Sequence, residues 1–316
     1  MPQCLICDQQ DFKIIATVMR EGPGKICQCR KCGLVIQDVS QTDKELEHYY
    51  NKEYQKTNSL DTGREQTPQD HFKDRLKTLA PILTNIDPLL TPQMRVLEIG
   101  CGTGELLYSI KDRVKEVVGV ELNKGFVEFM NNDLKIKAYA QDLKAIDFKD
   151  TTFDLIISIA TLDHLPDPMQ TLEAMKKILS PDGKIYLELP NRNEALNFFL
   201  PSPQRERFNT FFWHKAHFFY FTQESLARLL DKAGFTSEMT CRHEYTLINY
   251  LNWYFSGQPQ KSFVDATSQA SLFGGNSLFE KDMNEMFIEM EKRFHEIMEK
   301  TFRGDILCCV GQIKRT

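Results

Sequence analysis

The chain lacks an excess of basic residues. Its 39 lysines and arginines stand against 44 acids, a net charge of −5. That balance exerts no general pull on nucleic acid or an anionic membrane surface. No apolar run is long enough to cross a bilayer, and the opening MPQCLICDQQ has no basic segment ahead of an apolar core. Neither a membrane span nor a secretory signal is expected, so the expected location is the cytoplasm. Internal repeats and low-complexity tracts are also missing. What remains, 41% hydrophobic and 26% charged over 316 residues, is the composition of a globular chain with one large domain and small attachments.

Cysteine is not scarce. Nine cysteines without a secretory signal favour metal ligation or free thiols over a disulfide framework. Four form the pairs Cys4-Leu-Ile-Cys7 and Cys29-Arg-Lys-Cys32, each with the gap that lets two thiolates of a tight turn face one tetrahedral ion. FKIIATVMREGPGKI between them predicts two short strands around a Gly-Pro-Gly turn. Residues 1–40 therefore read as a zinc ribbon, with Cys27 as an alternative to Cys29 for the third ligand. Four thiolates leave no open position on the metal, so the zinc is expected to be structural.

Residues 41–70 are polar with interspersed tyrosines, a linker in which Tyr49, Tyr50 and Tyr54 either close over a ligand or pack on a neighbouring surface. HFKDRLKTLAPIL then predicts a single helix leading into a domain over 71–316. From residue 94, apolar strands (MRVLEIG, KEVVGVEL, KIKAYA, FDLIISIA, GKIYLEL) alternate with amphipathic helices (ELLYSIKDR, KGFVEFMNN, PMQTLEAMKKIL, FTQESLARLLDKAGF). This pattern predicts an α/β fold, a doubly wound and mostly parallel sheet. TSEMTCRHEYTL and GDILCCVGQIK read as a sixth and a seventh strand. Between them lies a helical insertion at about 246–302, whose helix presents Phe279, Met283, Met286, Phe287, Met290, Phe294 and Ile297 on one face. Packing of that face on the domain, or a homodimer, would cover it.

Ligands of such sheets sit at the carboxyl ends of the strands, where VLEIGCGTGELL lies. The hydride-cofactor fingerprint asks for glycine where this chain has Glu105, and no Gly-Lys-Ser/Thr is present to cradle phosphate. Glu98, Gly100, Cys101, Gly102 and Gly104 instead form a glycine turn framed by acids, which suits a cation. S-adenosylmethionine, a sulfonium carrying an ammonium group, meets that requirement. Glu121 with Leu122 ends the second strand, where a carboxylate can take both ribose hydroxyls. Asp142 and the Leu143 N–H can read adenine, and Ile159 ends the fourth strand near the methionine portion.

Residues 94–190 resemble the class I S-adenosylmethionine-dependent methyltransferases, with VLEIGCGTG as their first motif and VVGVEL as their second; AQDL and FDLIISIATLDHLPDP resemble later ones. Two CxxC pairs, a tyrosine-rich linker, this core and HFFYFTQESLARLLDKAGF, in that order, resemble bacterial zinc-ribbon methyltransferases that act on sugars, sugar nucleotides and other small molecules. The resemblance implies a Rossmann-like seven-stranded sheet whose last two strands form an antiparallel hairpin. The sugar C-methyltransferase branch carries His-Glu-His where this chain has Lys215-Ala216-His217.

The acceptor is expected to be a small polar molecule bearing a hydroxyl, which needs a base. His164 in TLDHLPDP and His217 in the aromatic run are the candidates, with His214 as a further one, Tyr220 to orient the substrate, and Asn191 and Arg192 to touch its polar groups. RNA methylation and a non-catalytic cofactor-binding partner are the competing readings.

Overall fold

In a computed structural model the described residues are 3–39, 45, 67–260, 266–267 and 273–315. Tyr49, Tyr50 and Tyr54, and with them most of the linker, lie outside the described residues.

Seven strands form the main sheet: β4 (Arg95–Ile99), β5 (Glu116–Val120), β6 (Lys137–Tyr139), β7 (Phe153–Ile159), β8 (Leu179–Pro190), β10 (Phe235–Arg242) and β11 (Ile306–Ile313). Their order is β10-β11-β8-β7-β4-β5-β6, parallel except that β11 runs antiparallel to both its neighbours. The last two strands are the expected hairpin.

Alternation along the strands divides the core. Val96, Leu155, Ile157, Tyr186 and Cys308 face one side, against Leu79, Ile82 and Ile86. Leu97, Ile156, Ile185, Leu187 and Cys309 face the other, against Leu172, Met175, Leu226 and Leu229. Adjacent residues in each strand thus enter different layers, which is the definition of a doubly wound sheet. The cysteines at 308 and 309 are core residues on opposite faces.

The expected single helix over 71–83 is two: α1 (Pro68–Leu76), capped by Thr67, and α2 (Ala80–Ile86). Pro81 explains the break, since it has no N–H for an intrahelical bond and is tolerated in a first turn. Helices α3 (Glu105–Ile110), α4 (Lys124–Phe129), α5 (Pro168–Ile178), α6 (Leu196–Phe199), α7 (Gln204–Phe212) and α8 (Gln223–Lys232) follow. Gly234 closes α8 at φ +86°, as expected of a left-handed cap.

The insertion contains α9 (Leu247–Ser256) and α10 (Leu278–Lys300). On α10 it is Glu291 and Met298 that are buried, while Phe279, Met286, Met290 and Ile297 are exposed. Met283, Phe287 and Phe294 are half-buried, with the Phe294 ring 5.1 Å from His243 and 5.6 Å from Tyr250, so the apolar face expected to pack on the domain is covered only in part. The reason is polar: Glu291 turns inward, and its two carboxylate oxygens accept the Leu247 N–H at 2.9 and 3.0 Å.

The N-terminal unit holds β1 (Phe12–Met19), β2 (Gly22–Cys29) and β3 (Val35–Gln37). The β1–β2 turn falls at Arg20–Glu21, so Gly22-Pro23-Gly24 lies within β2 and does not form the turn. Its four-stranded sheet has order β1-β2-β3-β9, and β9 (Phe219–Tyr220) comes from the main domain. Leu34, Ile36, Phe218, Phe219 and Phe221 pack in one cluster with Leu226 of α8.

Candidate active site

Between Ile99 and Glu105 the chain must turn from strand to helix. Gly100, Gly102 and Gly104 do so at φ +72°, +54° and +80°, angles that cost a residue with a side chain about 1–2 kcal/mol. A Cβ on Gly100 would stand 2.1 Å from Thr161 Oγ1. Glycine here lets the loop after β7 close on the turn.

That closure bounds a cavity of about 240 Å3 at the carboxyl ends of β4, β5 and β7. Glu98, Gly100, Cys101, Gly102, Glu121, Leu122, Asp142, Leu143, Ile159 and His164 all line it. Gly104 and His217 do not: Gly104 caps α3 and abuts Met130. Glu121 is locked by two N–H donors, Gly102 to Oε2 at 3.0 Å and Asn123 to Oε1 at 2.9 Å. Burial still raises its pKa above the usual carboxylate value. Burial, with the charges of Glu105 and Glu121 nearby, raises Glu98 further, and its Oε2 is buried without a hydrogen-bond partner. Such a carboxylate fits a cationic ligand and opposes a pyrophosphate.

The sequence reading missed the wall formed by α1. Arg75 Nε stands 3.2 Å from Glu105 Oε1, neutralising the second acid of the turn. His71 Nδ1 lies 3.3 Å from Thr103 Oγ1, with its ring 5.0 Å from that of Phe126. Residues 71 and 75 are four apart on α1 and so share a face, but nothing in that spacing ties the face to the glycine turn.

Past β7, Ala160 adopts φ +45°, its N–H donating to the Glu188 carbonyl at 2.8 Å. This non-glycine left-handed residue sets the path of the next turn, Leu162–His164. His164 is buried on the cavity wall, and its ring centroid lies 4.7 Å from that of His217. Asp163 Oδ2 stands 3.6 Å from His164 Nε2 and 3.7 Å from His217 Nε2. Burial lifts Asp163 to about 7 and lowers His164 to about 4, so His164 is neutral near pH 7. Nothing in the spacing of the sequence marked Asp163 as buried.

Other candidates serve the scaffold. His214 Nδ1 accepts the Ala216 N–H at 3.0 Å, and its Nε2 faces Glu21 Oε1 at 3.0 Å. The Tyr220 hydroxyl, expected to orient a substrate, accepts the His214 N–H and donates to the His214 carbonyl. Asn191 donates to the Phe302 and Gly304 carbonyls. Arg192 lies under the Trp213 ring, its guanidinium carbon 4.8 Å from the ring centroid; burial lowers it to about 10.

In the N-terminal unit the sulfurs of Cys4, Cys7, Cys29 and Cys32 lie within 4.8 Å of one another, with Cys4–Cys32 at 3.4 Å and Cys7–Cys29 at 3.5 Å. Thiolates on one tetrahedral zinc stand about 3.8 Å apart. All nine cysteines are free thiols, and this set omits Cys27, which is buried in β2. Burial opposes ionisation of Cys29, yet N–H groups of Cys32 and Lys31 and the neighbouring thiols bring it down to about 7. The donor set fits a tetrahedral ion.

Among known proteins, the ubiquinone biosynthesis O-methyltransferase of Coxiella burnetii (strain Dugway 5J108-111) is 28% identical over 103 residues, 31% of this chain and 44% of that protein. That of Idiomarina loihiensis is 30% identical over 105 residues, 31% of this chain and 43% of that protein. The chain thus spans less than half the length of these curated relatives. A solved structure, magnesium protoporphyrin IX methyltransferase from Synechocystis with bound SAH, covers 64% of this chain and 93% of its own at 14% identity and a TM-score of 0.48. The family model for the methyltransferase domain matches residues 69–238, more than half of the chain. That match spans strands β4 to β8, the glycine turn and the carboxylate-lined cavity described above, and by it this chain belongs to the methyltransferase domain family.

Proposed function

We propose that the protein transfers a methyl group from S-adenosylmethionine to a hydroxyl of a small polar acceptor, a sugar, sugar nucleotide or related metabolite. The observation that carries this reading is Glu98: a buried, unpartnered carboxylate oxygen in a cavity that Glu121, anchored by two N–H donors, also lines. The similarity to the Coxiella and Idiomarina proteins, both O-methyltransferases, supports an oxygen acceptor.

When bound, S-adenosylmethionine supplies a methyl group already activated by a positively charged sulfur. Glu121, held rigid by its two N–H donors, accepts the ribose hydroxyls, and Asp142 with the Leu143 N–H takes the adenine edge. Glu98 answers the positive charge of the ligand. Ile159 and Ala160 flank the methionine portion and keep water from it. Deprotonation of the acceptor falls to Asp163, His164 and His217, with His164 the member on the cavity wall. Much of the acceleration in such an in-line displacement comes from orientation, which this preformed wall supplies. The four-thiol site of the N-terminal unit holds a structural zinc.

Isothermal titration tests the reading. S-adenosylmethionine and its demethylated product should bind with comparable strength, and Glu121→Ala should weaken both by tenfold or more. If neither nucleotide binds, the reading fails.

A further inference from the structure

Asp163 has no ordinary explanation. Its side chain is almost wholly buried, and neither carboxylate oxygen has a hydrogen-bond partner on any other residue. Buried polar groups are nearly always satisfied, so an orphaned carboxylate implies an unseen ion or water. The imidazole nitrogens that face it, Nε2 of His164 at 3.6 Å and Nε2 of His217 at 3.7 Å, are beyond hydrogen-bond reach. They are at the spacing of metal ligands: donors about 2.1 Å from one tetrahedral ion stand about 3.4 Å apart. The three ligand atoms lie within 4.8 Å of one another.

We propose that Asp163, His164 and His217 bind a second divalent transition ion, separate from the four-thiol site, at the wall of the cofactor cavity. Two imidazoles and one carboxylate form a donor set suited to zinc or iron(II). Three protein ligands leave a coordination position open, the mark of a reactive rather than a structural site. The site is also pre-organised across two segments distant in sequence. The Phe218 N–H donates to the Asp163 carbonyl at 2.9 Å, which clamps the loop after β7 to the strand that enters the ribbon sheet.

The chemistry this supplies rests on the methyltransferase reading. Asp163, His164 and His217 would then promote deprotonation as ligands of the ion rather than as bases: an acceptor hydroxyl in the open position is made more acidic and gives its proton to solvent. Its oxygen then forms the new C–O bond as the S–C bond breaks, and that electron pair stays on sulfur as a neutral thioether.

The test is a metal count on full-length protein saturated with zinc and dialysed, read by plasma mass spectrometry, with S-adenosylmethionine titrated into the same samples. Wild type should hold two zinc ions per chain. Asp163→Asn and His217→Ala should each hold one, the retained ribbon ion showing that they are folded. Competition with a chelator should show the affinity of the second ion falling tenfold or more in each variant. One zinc per chain in the wild type, or two in both variants, overturns the proposal. One zinc with the nucleotide bound sinks the metal site and leaves the methyltransferase reading standing. Two zincs with no nucleotide bound keeps the metal site and sinks that reading.

Discussion

At Gly100 two demands coincide: φ is +72°, and the position of a Cβ is already occupied by Thr161. At Gly102 only the first applies, since the nearest atom to its Cβ would be 3.7 Å away. Gly102→Ala should therefore cost only backbone strain, about 1–2 kcal/mol. Gly100→Ala should cost more, because Thr161 must move and the turn carrying His164 moves with it. We expect Gly100→Ala to melt several degrees below Gly102→Ala in scanning fluorimetry and to lose over tenfold in S-adenosylmethionine affinity; equal melting points would refute the argument. Glu98 and Glu121 were legible as cavity-lining residues because the carboxyl end of a parallel strand opens on the crevice of such a sheet. Arg75 was not, because its partner Glu105 lies 30 positions away and only packing of α1 on α3 joins them.

Elements settle their ends and faces by polar accounting as much as by apolar pattern. The N-terminus of α9 leaves N–H groups unpaired, and Thr246 and Glu291 take those of Asn249 and Leu247. Glu291 also faces His295 Nε2 at 3.0 Å. Burial opposes a charge on His295, but the hydrogen bond to Glu291 prevails and its pKa is raised. A histidine raised on folding contributes stability that is complete below the unfolded value of 6.5 and is lost as pH rises through the folded one. Glu291→Ala should lower the unfolding free energy by about 1–3 kcal/mol, the cost of an unsatisfied buried donor. It should also flatten the loss of stability between neutral and alkaline pH. Urea melts at several pH values would show both, and a variant with wild-type midpoints throughout would contradict them. The 3.6-residue pattern chose Phe279 and Met290 for the buried face of α10 because it weighs hydrophobicity and has no term for a buried carboxylate that caps a neighbouring helix.

For the molecule as a whole, the ribbon is not a bead on a linker. It takes β9 into its sheet, the Gln37 N–H donates to the Phe218 carbonyl, and Arg20 N–H donates to the Trp213 carbonyl. His217 lies on the segment so gripped. Replacing Cys4 and Cys7 by serine should therefore expose amides of residues 213–221 to hydrogen exchange, while β4, β5 and β7 stay protected. No change in the 213–221 peptides, with loss of protection confined to residues 3–37, would show the two units to be mechanically independent.

The order of strands and helices, the glycine turn, the acids that end successive strands and the two cysteine pairs could all be read from the chain itself. Each depends on spacing within about twenty residues, where periodicity and ligand geometry act directly. Which residues meet across the fold was decided only in three dimensions: the capture of β9 by the ribbon, the pairing of Arg75 with Glu105, and the burial of Asp163 between two histidines. Those contacts join segments tens to hundreds of positions apart, and their geometry exists only once the sheet has set the distance between its loops.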